Sequence, residues 1–438
     1  MLYEFIKERM LKHSEQLISD GTTVISYREF LIKAERLAKS LNDNLYVILC
    51  DNELNTAISL FACLCAGKTA APLSSKYGEQ HYNKIVEMIK PDSIIKDASI
   101  IHTNYDTNEK LHDVAVIMCS SGTTGVPKGI MLSEDNLYVN LRDIEKYMPV
   151  TSDDHMLISR PIFHCAVMTS ELLYGLIRGS KILFYNGSLN PKRLYRIIEE
   201  NRITVTSATP TIFYYLSKHI NAAGLNCGLK TIAISGECMT ESVAKELIKA
   251  LPKTKKFNVY GLTEASPRVS YLPYHLFNDD PTSVGIPLNS TTIKIENDEL
   301  LVYSPTIMQG YYLNSKATNE TIKGGWLRTG DVAEINDGLL YIKCRKDNMI
   351  IRAGMNIYPQ EIENVLKQDE RILDVLAYSI KDNTVGEKLI INVIATNMTK
   401  NDVFRICKKL LPSYQYPDVI KMVDHFDYTP SGKIIRHF

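Results

Sequence analysis

Residues 120–129 read Ser120-Ser121-Gly122-Thr123-Thr124-Gly125-Val126-Pro127-Lys128-Gly129, directly after the apolar run Val114-Ala115-Val116-Ile117-Met118-Cys119. The run predicts a buried strand. Three glycines let the backbone after it turn tightly and present N–H groups to an anion; four hydroxyls can donate hydrogen bonds, and Lys128 adds positive charge. This content exceeds what a turn between a strand and a helix requires, and it describes a polyphosphate cradle. A Walker loop is excluded on spacing, because Pro127 precedes the lysine and Gly129, not Ser or Thr, follows it.

Working outward, helices and strands alternate on both sides of this loop. Ser26 and Glu29 form a capping box ahead of Phe30, Ala34, Leu37 and Leu41, which recur at helical spacing. A strand over 45–50, a helix over 57–66 stopped by Gly67, and a strand over 181–185 follow the same logic. So do a helix over 191–200, strands over 203–206 and 231–234, and a helix ending near Leu251. Strands separated by helices predict an α/β fold with largely parallel sheets covered on both faces. After Tyr260 the texture changes to short alternating runs, such as 292–296 and 299–303, which predict an antiparallel section. The charged stretch Lys343 to Asp347 precedes a tail with its own helix after Pro359, strands over 375–380 and 389–395, and a helix over 401–411. The spacing places a domain boundary at Lys346 or Asp347, giving residues 1–346 and 347–438.

Composition bounds the function. The 438 residues are 45% hydrophobic, enough for more than one core, and fifty basic residues balance fifty acidic ones. Nothing in that balance points to nucleic acid or a membrane surface, so a small-molecule substrate is expected. The most apolar window, 56–73, is interrupted by Lys68, glycine and proline, which argues against a membrane span. Nine scattered cysteines lack the spacing of a zinc site or a disulfide framework and read as reduced core thiols. With no signal-peptide pattern in the charged stretch 1–10, a cytoplasmic location is expected.

Further motifs follow the loop. Val259-Tyr260-Gly261-Leu262-Thr263-Glu264, Arg328-Thr329-Gly330-Asp331, Arg345-Lys346-Asp347, Gly354-Met355-Asn356-Ile357-Tyr358-Pro359, and Pro430-Ser431-Gly432-Lys433 stand in that order. With the loop, they resemble the adenylate-forming superfamily of acyl-CoA synthetases, peptide-synthetase adenylation domains and luciferases. The resemblance implies a large N-terminal domain of two helix-covered sheets plus a small β-subdomain, and a small mobile α+β C-terminal domain. It also implies ATP-dependent activation of a carboxylic acid as acyl-AMP, with release of pyrophosphate and transfer to a pantetheine thiol of CoA or of an acyl or peptidyl carrier protein.

Roles follow residue by residue from the resemblance. Ser120, Ser121, Gly122, Thr123, Thr124, Gly125 and Lys128 cradle phosphates. Glu264 holds Mg2+, a hard cation suited to carboxylate oxygen, with Thr263 on the phosphate. Tyr260 and Gly261, with the loop Gly236, Glu237 and Cys238, surround adenine, although Glu237-Cys238-Met239 departs from the small-residue and proline pattern of many relatives. Asp331 can accept from both ribose hydroxyls, and Arg345 donates to the same sugar. Lys433 contacts the carboxylate and α-phosphate during adenylation. Asp347 is the hinge about which the small domain turns, Gly354 lines the pantetheine path, and His164 is the aromatic gate of the acyl site.

The acyl pocket falls on Cys165, Met168, Ala265 and Arg268. Small apolar residues over 165–168 favour an aryl or aliphatic acid, and no aspartate in 165–170 offers a partner to an α-amino group. Arg268 either pairs with a second carboxylate or polar group on the substrate or forms a structural ion pair. The chain is shorter than is usual for the family, which leaves a carrier-protein pantetheine open as acceptor beside CoA. Competing readings are an adenylating transferase to an amine or hydroxyl, amino-acid adenylation, and a non-catalytic nucleotide-binding scaffold.

Overall fold

The computed structural model describes residues 1–75, 79–97, 99–105, 111, 113–121, 127–185, 187, 190–352, 355–382 and 386–426. The chain divides into two compact units. The first comprises Met1–Met239, Val243–Lys294 and Leu301–Arg328; the second comprises Thr240–Ser242, Ile295–Leu300 and Thr329–Phe438.

The first unit is built on two large sheets. One runs in the order 286–287, 268–271, 255–261, 231–234, 205–208, 155–158, 181–184, 17–19, 24–26. Its centre is parallel, with Ile234 beside both Ala208 and Asn258, whereas strands 268–271, 286–287 and 24–26 are antiparallel additions at the edges. The second runs in the order 310–311, 127–133, 114–121, 69–72, 45–48, 93–96, 99–102 and has the same parallel middle and antiparallel edges. The expectation of largely parallel sheets therefore holds, with antiparallel strands added at the margins. The reason is visible at the phosphate loop: strand Val114–Ser121 returns at once as strand Pro127–Ser133, pairing Ser120 with Lys128. The loop thus joins two antiparallel strands, and the helix comes only afterwards.

Local signals are realised where they are strong. Ser26 and Glu29 form the reciprocal capping box of helix Tyr27–Ala38, and helix Glu53–Ala66 ends at Gly67 in the left-handed region at φ 63°. Helix Pro191–Glu200 and strand Thr231–Ile234 lie where periodicity puts them, while the strand read over 203–206 is shifted to Val205–Ala208. The core beneath helices 191–200, 210–223 and 241–250 contains Leu194, Ile198, Phe213, Leu216, Ile232 and Leu247, each buried.

The second unit has its own core of Ile362, Leu366, Val375, Ile391, Val393 and Val403, packed between helices Pro359–Leu366 and Lys400–Leu410 and a three-stranded sheet, 372–382, 386–395 and 419–422. All nine cysteines are free thiols; Cys50, Cys63, Cys165, Cys344 and Cys407 are buried, and Cys65, Cys119, Cys227 and Cys238 are half-buried, less interior than their apolar neighbours suggest. Among the described residues no helix is long and apolar enough to cross a membrane.

Candidate active site

Parallel strands 155–158, 205–208, 231–234 and 255–261 lie side by side, so the segments leaving their carboxyl ends emerge along one edge of the sheet. Open α/β sheets bind ligands at that edge. Residues 159–164, 235–238 and 260–264 are the segments in question, so His164, Gly236, Glu237, Cys238 and Tyr260 are drawn to one region although they span almost a hundred positions. Gly236 has φ 94°, a conformation that favours glycine. The Glu237 carboxylate accepts from the Thr211 hydroxyl at 2.6 Å and the Thr211 N–H at 3.2 Å. It thereby ties this loop to the first turn of helix Pro210–Ala223, where a negative charge is favoured.

Strand 255–261 turns through Thr263–Ala265 into strand Arg268–Tyr271, and Glu264 sits at the tip of this hairpin. The turn closes with Leu262 N–H donating to the Pro267 carbonyl at 2.9 Å. A Cβ on Gly261 would stand 1.9 Å from that carbonyl oxygen, so glycine is required there by close approach. Asn140, fully buried in helix Glu134–Tyr147, donates to the Arg268 carbonyl at 2.9 Å and accepts from the Arg268 N–H at 3.2 Å, clamping the hairpin from the side.

Tyr311, absent from the sequence reading, connects two of the expected site residues. Its hydroxyl donates to Glu264 Oε1 at 2.9 Å, and Lys128 Nζ lies 4.7 Å from the centre of its ring. Tyr311 pairs with Ile130 on the strand that carries Lys128, while Met308 N–H donates to the Glu264 carbonyl at 2.9 Å. The structure therefore brings the end of the phosphate loop and the hairpin-tip carboxylate around one phenol. Ser120 and Ser121 are placed by strand register opposite Lys128 and Pro127, and Gly122, Thr123, Thr124 and Gly125 lie outside the described residues.

The segment expected to line the acyl pocket has an unusual backbone. Residues Cys165–Val167 are helical and continue as a π-helix over Met168–Leu173, a wide turn found mostly at functional sites. Cys165, Met168 and Ala265 are buried. Burial pushes the Cys165 thiol up to about 12, which keeps it protonated. From the same π-helix, buried Glu171 accepts from Arg160 at 2.9 Å. Arg268 is only 2% exposed, and its charge acts on the Tyr147 phenol. Arg160, Glu171 and Tyr147 were also missed, because nothing local in the sequence marks a buried ion pair.

In the second unit, Asp331 and Arg345 are register partners of the hairpin 326–336 and 339–345. Arg345 donates to Asp331 Oδ1 at 3.2 Å and to the Thr329 carbonyl at 2.7 Å, while the Thr329 hydroxyl accepts from Asp331 N–H and donates to Leu300 O. Asp331 is buried and rigidly aimed, and Arg345 keeps about two-fifths of its side chain exposed. Asp347 lies in the short turn Lys346–Asn348 that follows; Gly354 and Lys433 lie outside the described residues.

An enzyme that joins a carboxylate to AMP is the class that this fold, with its hydroxyl-rich loop and ordered motifs, defines. Comparison with known proteins agrees. Residues 101–312 match the model of the AMP-binding enzyme family. A feruloyl-CoA synthase of an Amycolatopsis species is 25% identical over 477 residues, 98% of this chain and 96% of the relative. A long-chain-fatty-acid CoA ligase of Escherichia coli is 30% identical over 341 residues, 74% of this chain and 61% of that enzyme's length. Among solved structures, the O-succinylbenzoate coenzyme A synthetase of Bacillus subtilis in complex with ATP and magnesium superposes with a TM-score of 0.86 at 22% identity, covering 99% of this chain and 98% of that one. The chain is thus similar to AMP-binding enzymes over residues 101–312 and to a CoA-forming ligase over nearly its whole length.

Proposed function

We propose that this protein is an AMP-forming acid-thiol ligase that activates a small carboxylic acid with ATP and passes the acyl group to the thiol of CoA. The observation that carries the reading is the Glu264–Tyr311–Lys128 arrangement, a carboxylate and an ammonium held around one phenol at the sheet edge where ligands bind. The names of the relatives support CoA as acceptor, and a carrier-protein pantetheine is the other thiol to be tried.

In the first half-reaction a carboxylate oxygen bonds to the α-phosphorus of ATP and the bond to pyrophosphate breaks. In the second, the thiol sulfur bonds to the acyl carbon, AMP leaves with its oxygen, and the thiol proton passes to solvent. Two anions must meet, so charge neutralisation is the physical problem. Glu264 fits Mg2+: Tyr311 holds Oε1 in place, and one protein carboxylate with phosphate oxygens is the usual magnesium environment. When bound, the ion neutralises charge on the phosphates. Lys128 adds a positive charge beside the loop, Asp331 takes the ribose hydroxyls, and Lys433 contacts the α-phosphate. The hinge role of Asp347 and the pantetheine role of Gly354 belong to the same reading, as does a cytoplasmic location, supported by nine free thiols.

Purified protein with Mg2+ and a panel of aryl, aliphatic and amino acids is expected to show acid-dependent ATP–pyrophosphate exchange and, with CoA, thioester formation. A folded protein with no ATP affinity and no exchange with any acid overturns the reading. Asp331→Asn is expected to raise the KM for ATP by about 10- to 100-fold, the worth of hydrogen bonds to a charged group, with a smaller change in kcat. An unchanged KM would remove Asp331 from the ribose site.

A further inference from the structure

Strands 155–158 and 181–184 are parallel neighbours, and residues 151–152 and 178–179 lie just ahead of their amino ends. That is the edge of the sheet opposite the candidate active site, which gathers at the carboxyl ends. A cleft of about 220 Å³ opens there, lined by Arg9, Lys12, His13, Thr151, Ser152 and Arg178. Among the described residues, none that lines it is acidic.

The positive charge is not balanced from behind. Arg9 and Arg178 approach Glu145 Oε1 at 3.7 and 3.6 Å, and Arg142 approaches Oε2 at 2.6 Å, so three guanidiniums share one carboxylate. Lys12 is paired only with exposed Glu8, at 2.8 Å, a contact of a kind that contributes little. Helices Leu2–Leu11 and Tyr174–Arg178 both end at the cleft, and their carbonyl ends contribute about half an elementary negative charge each. Together they offset about one cation and leave an excess.

Donors remain to be used, and solvent reaches them. The Arg9 guanidinium makes no hydrogen bond to another described residue; it has the 3.7 Å ion pair and the Phe5 ring, 5.3 Å from its Cζ. Arg178 donates Nε to the Val150 carbonyl at 2.7 Å, which leaves Nη2. About a third of each of these two side chains is exposed. The frame around them is fixed. Gln16 Nε2 donates to the Ser152 and Gly179 carbonyls at 2.8 Å each, tying both segments to the turn after the first helix. A Cβ on Gly179 would stand 2.3 Å from His13 Cδ2, so the imidazole lies against the backbone there. Donors held in this way need little ordering when a ligand arrives.

We propose that this cleft binds a phosphate group, free or carried by a small organic ester, at a site separate from the nucleotide. Guanidinium, ammonium, imidazole and hydroxyl groups come from three segments, 9–13, 151–152 and 178, and suit an anion with oxygens on several sides. A carboxylate has only two oxygens, in one plane. The volume is below the about 300–1,000 Å³ of sites that enclose a drug-sized ligand, so the cleft holds the phosphate group and little beyond it. Phosphate would bind here whether or not the ligase reading holds.

Calorimetric titration of the full chain with inorganic phosphate and with glycerol 3-phosphate, against sodium chloride at matched ionic strength, supplies the test. Half-saturation in the millimolar range or below is expected. Tighter binding of the monoester would name an organic phosphate as the ligand, and tighter binding of inorganic phosphate the free ion. Arg9→Gln is expected to weaken binding by about 10- to 100-fold, the worth of hydrogen bonds to a charged group. Lys12→Gln, at an exposed position, is expected to weaken it by about 3-fold, the worth of an exposed charge. Unfolding midpoints in phosphate-free buffer check that both variants are folded, and Lys12→Gln carries the comparison if Arg9→Gln is not. Lys128→Gln, beside the phosphate loop, is expected to leave this binding in place. Wild-type protein that responds to phosphate no more than to chloride overturns the inference, whatever the variants do. A titration lost in Lys128→Gln but unchanged in the folded cleft variants overturns it as well, by putting the phosphate in the nucleotide site.

Discussion

Glu264→Gln is expected to lower acid-dependent ATP–pyrophosphate exchange by about 10²- to 10³-fold, because it removes the charge that would hold the phosphate-bound metal. The substitution is nearly isosteric and keeps an oxygen for the Tyr311 hydroxyl, so the hairpin should keep its shape. Tyr311→Phe separates the two functions of the contact. It leaves the carboxylate charged but no longer held at Oε1, and about a tenfold loss is expected, the worth of one hydrogen bond to a charged group. Titration with Mg2+ supplies the discriminating readout: Glu264→Gln should need more magnesium for half-maximal exchange, whereas a purely structural role would leave that midpoint unmoved. Equal and small losses in both variants would place the metal elsewhere.

Glu171→Leu is expected to destabilise the first unit by about 3–5 kcal/mol, the range for breaking one side of a buried ion pair. Glu171 is 1% exposed and Arg160 16% exposed, with 2.9 Å between them, so the arginine left behind has little access to water. The double variant Arg160→Met with Glu171→Leu should recover most of the loss, since apolar side chains of similar volume replace both charges. Urea unfolding midpoints of the two single variants and the double variant measure the coupling. If Glu171→Leu unfolds at the wild-type midpoint, the pair contributes nothing to stability.

What could be read from the sequence was what is local. A cap and its partner three residues on, as at Ser26 and Glu29, a glycine after an apolar helix, as at Gly67, and the alternation of 292–296 and 299–303 all depend on neighbours along the chain. The ordered motifs supplied the family, because several of them occur at once. What stayed hidden depends on topology. The phenol of Tyr311 meets Glu264 across 47 positions, and Asn140 meets Arg268 across 128. Each contact exists only because a strand order set by the whole sheet brings it about. The return of the phosphate loop into an antiparallel strand was missed for a related reason: residues 127–133 are apolar enough for a strand, yet glycine and proline at their start read as loop. The π-helix escaped because periodicity distinguishes a helix from a strand but does not resolve one extra residue per turn.

The contact of Gly261 with the Pro267 carbonyl bears on how new specificities can be bred from this scaffold. Randomising 260–268 to redirect the enzyme would sample the acid and the arginine together with the one site where no side chain can be accommodated. A library that fixes residue 261 and diversifies 265 and 268 spends its diversity on shape and charge; one that leaves 261 open fills with misfolded clones in proportion to its non-glycine codons.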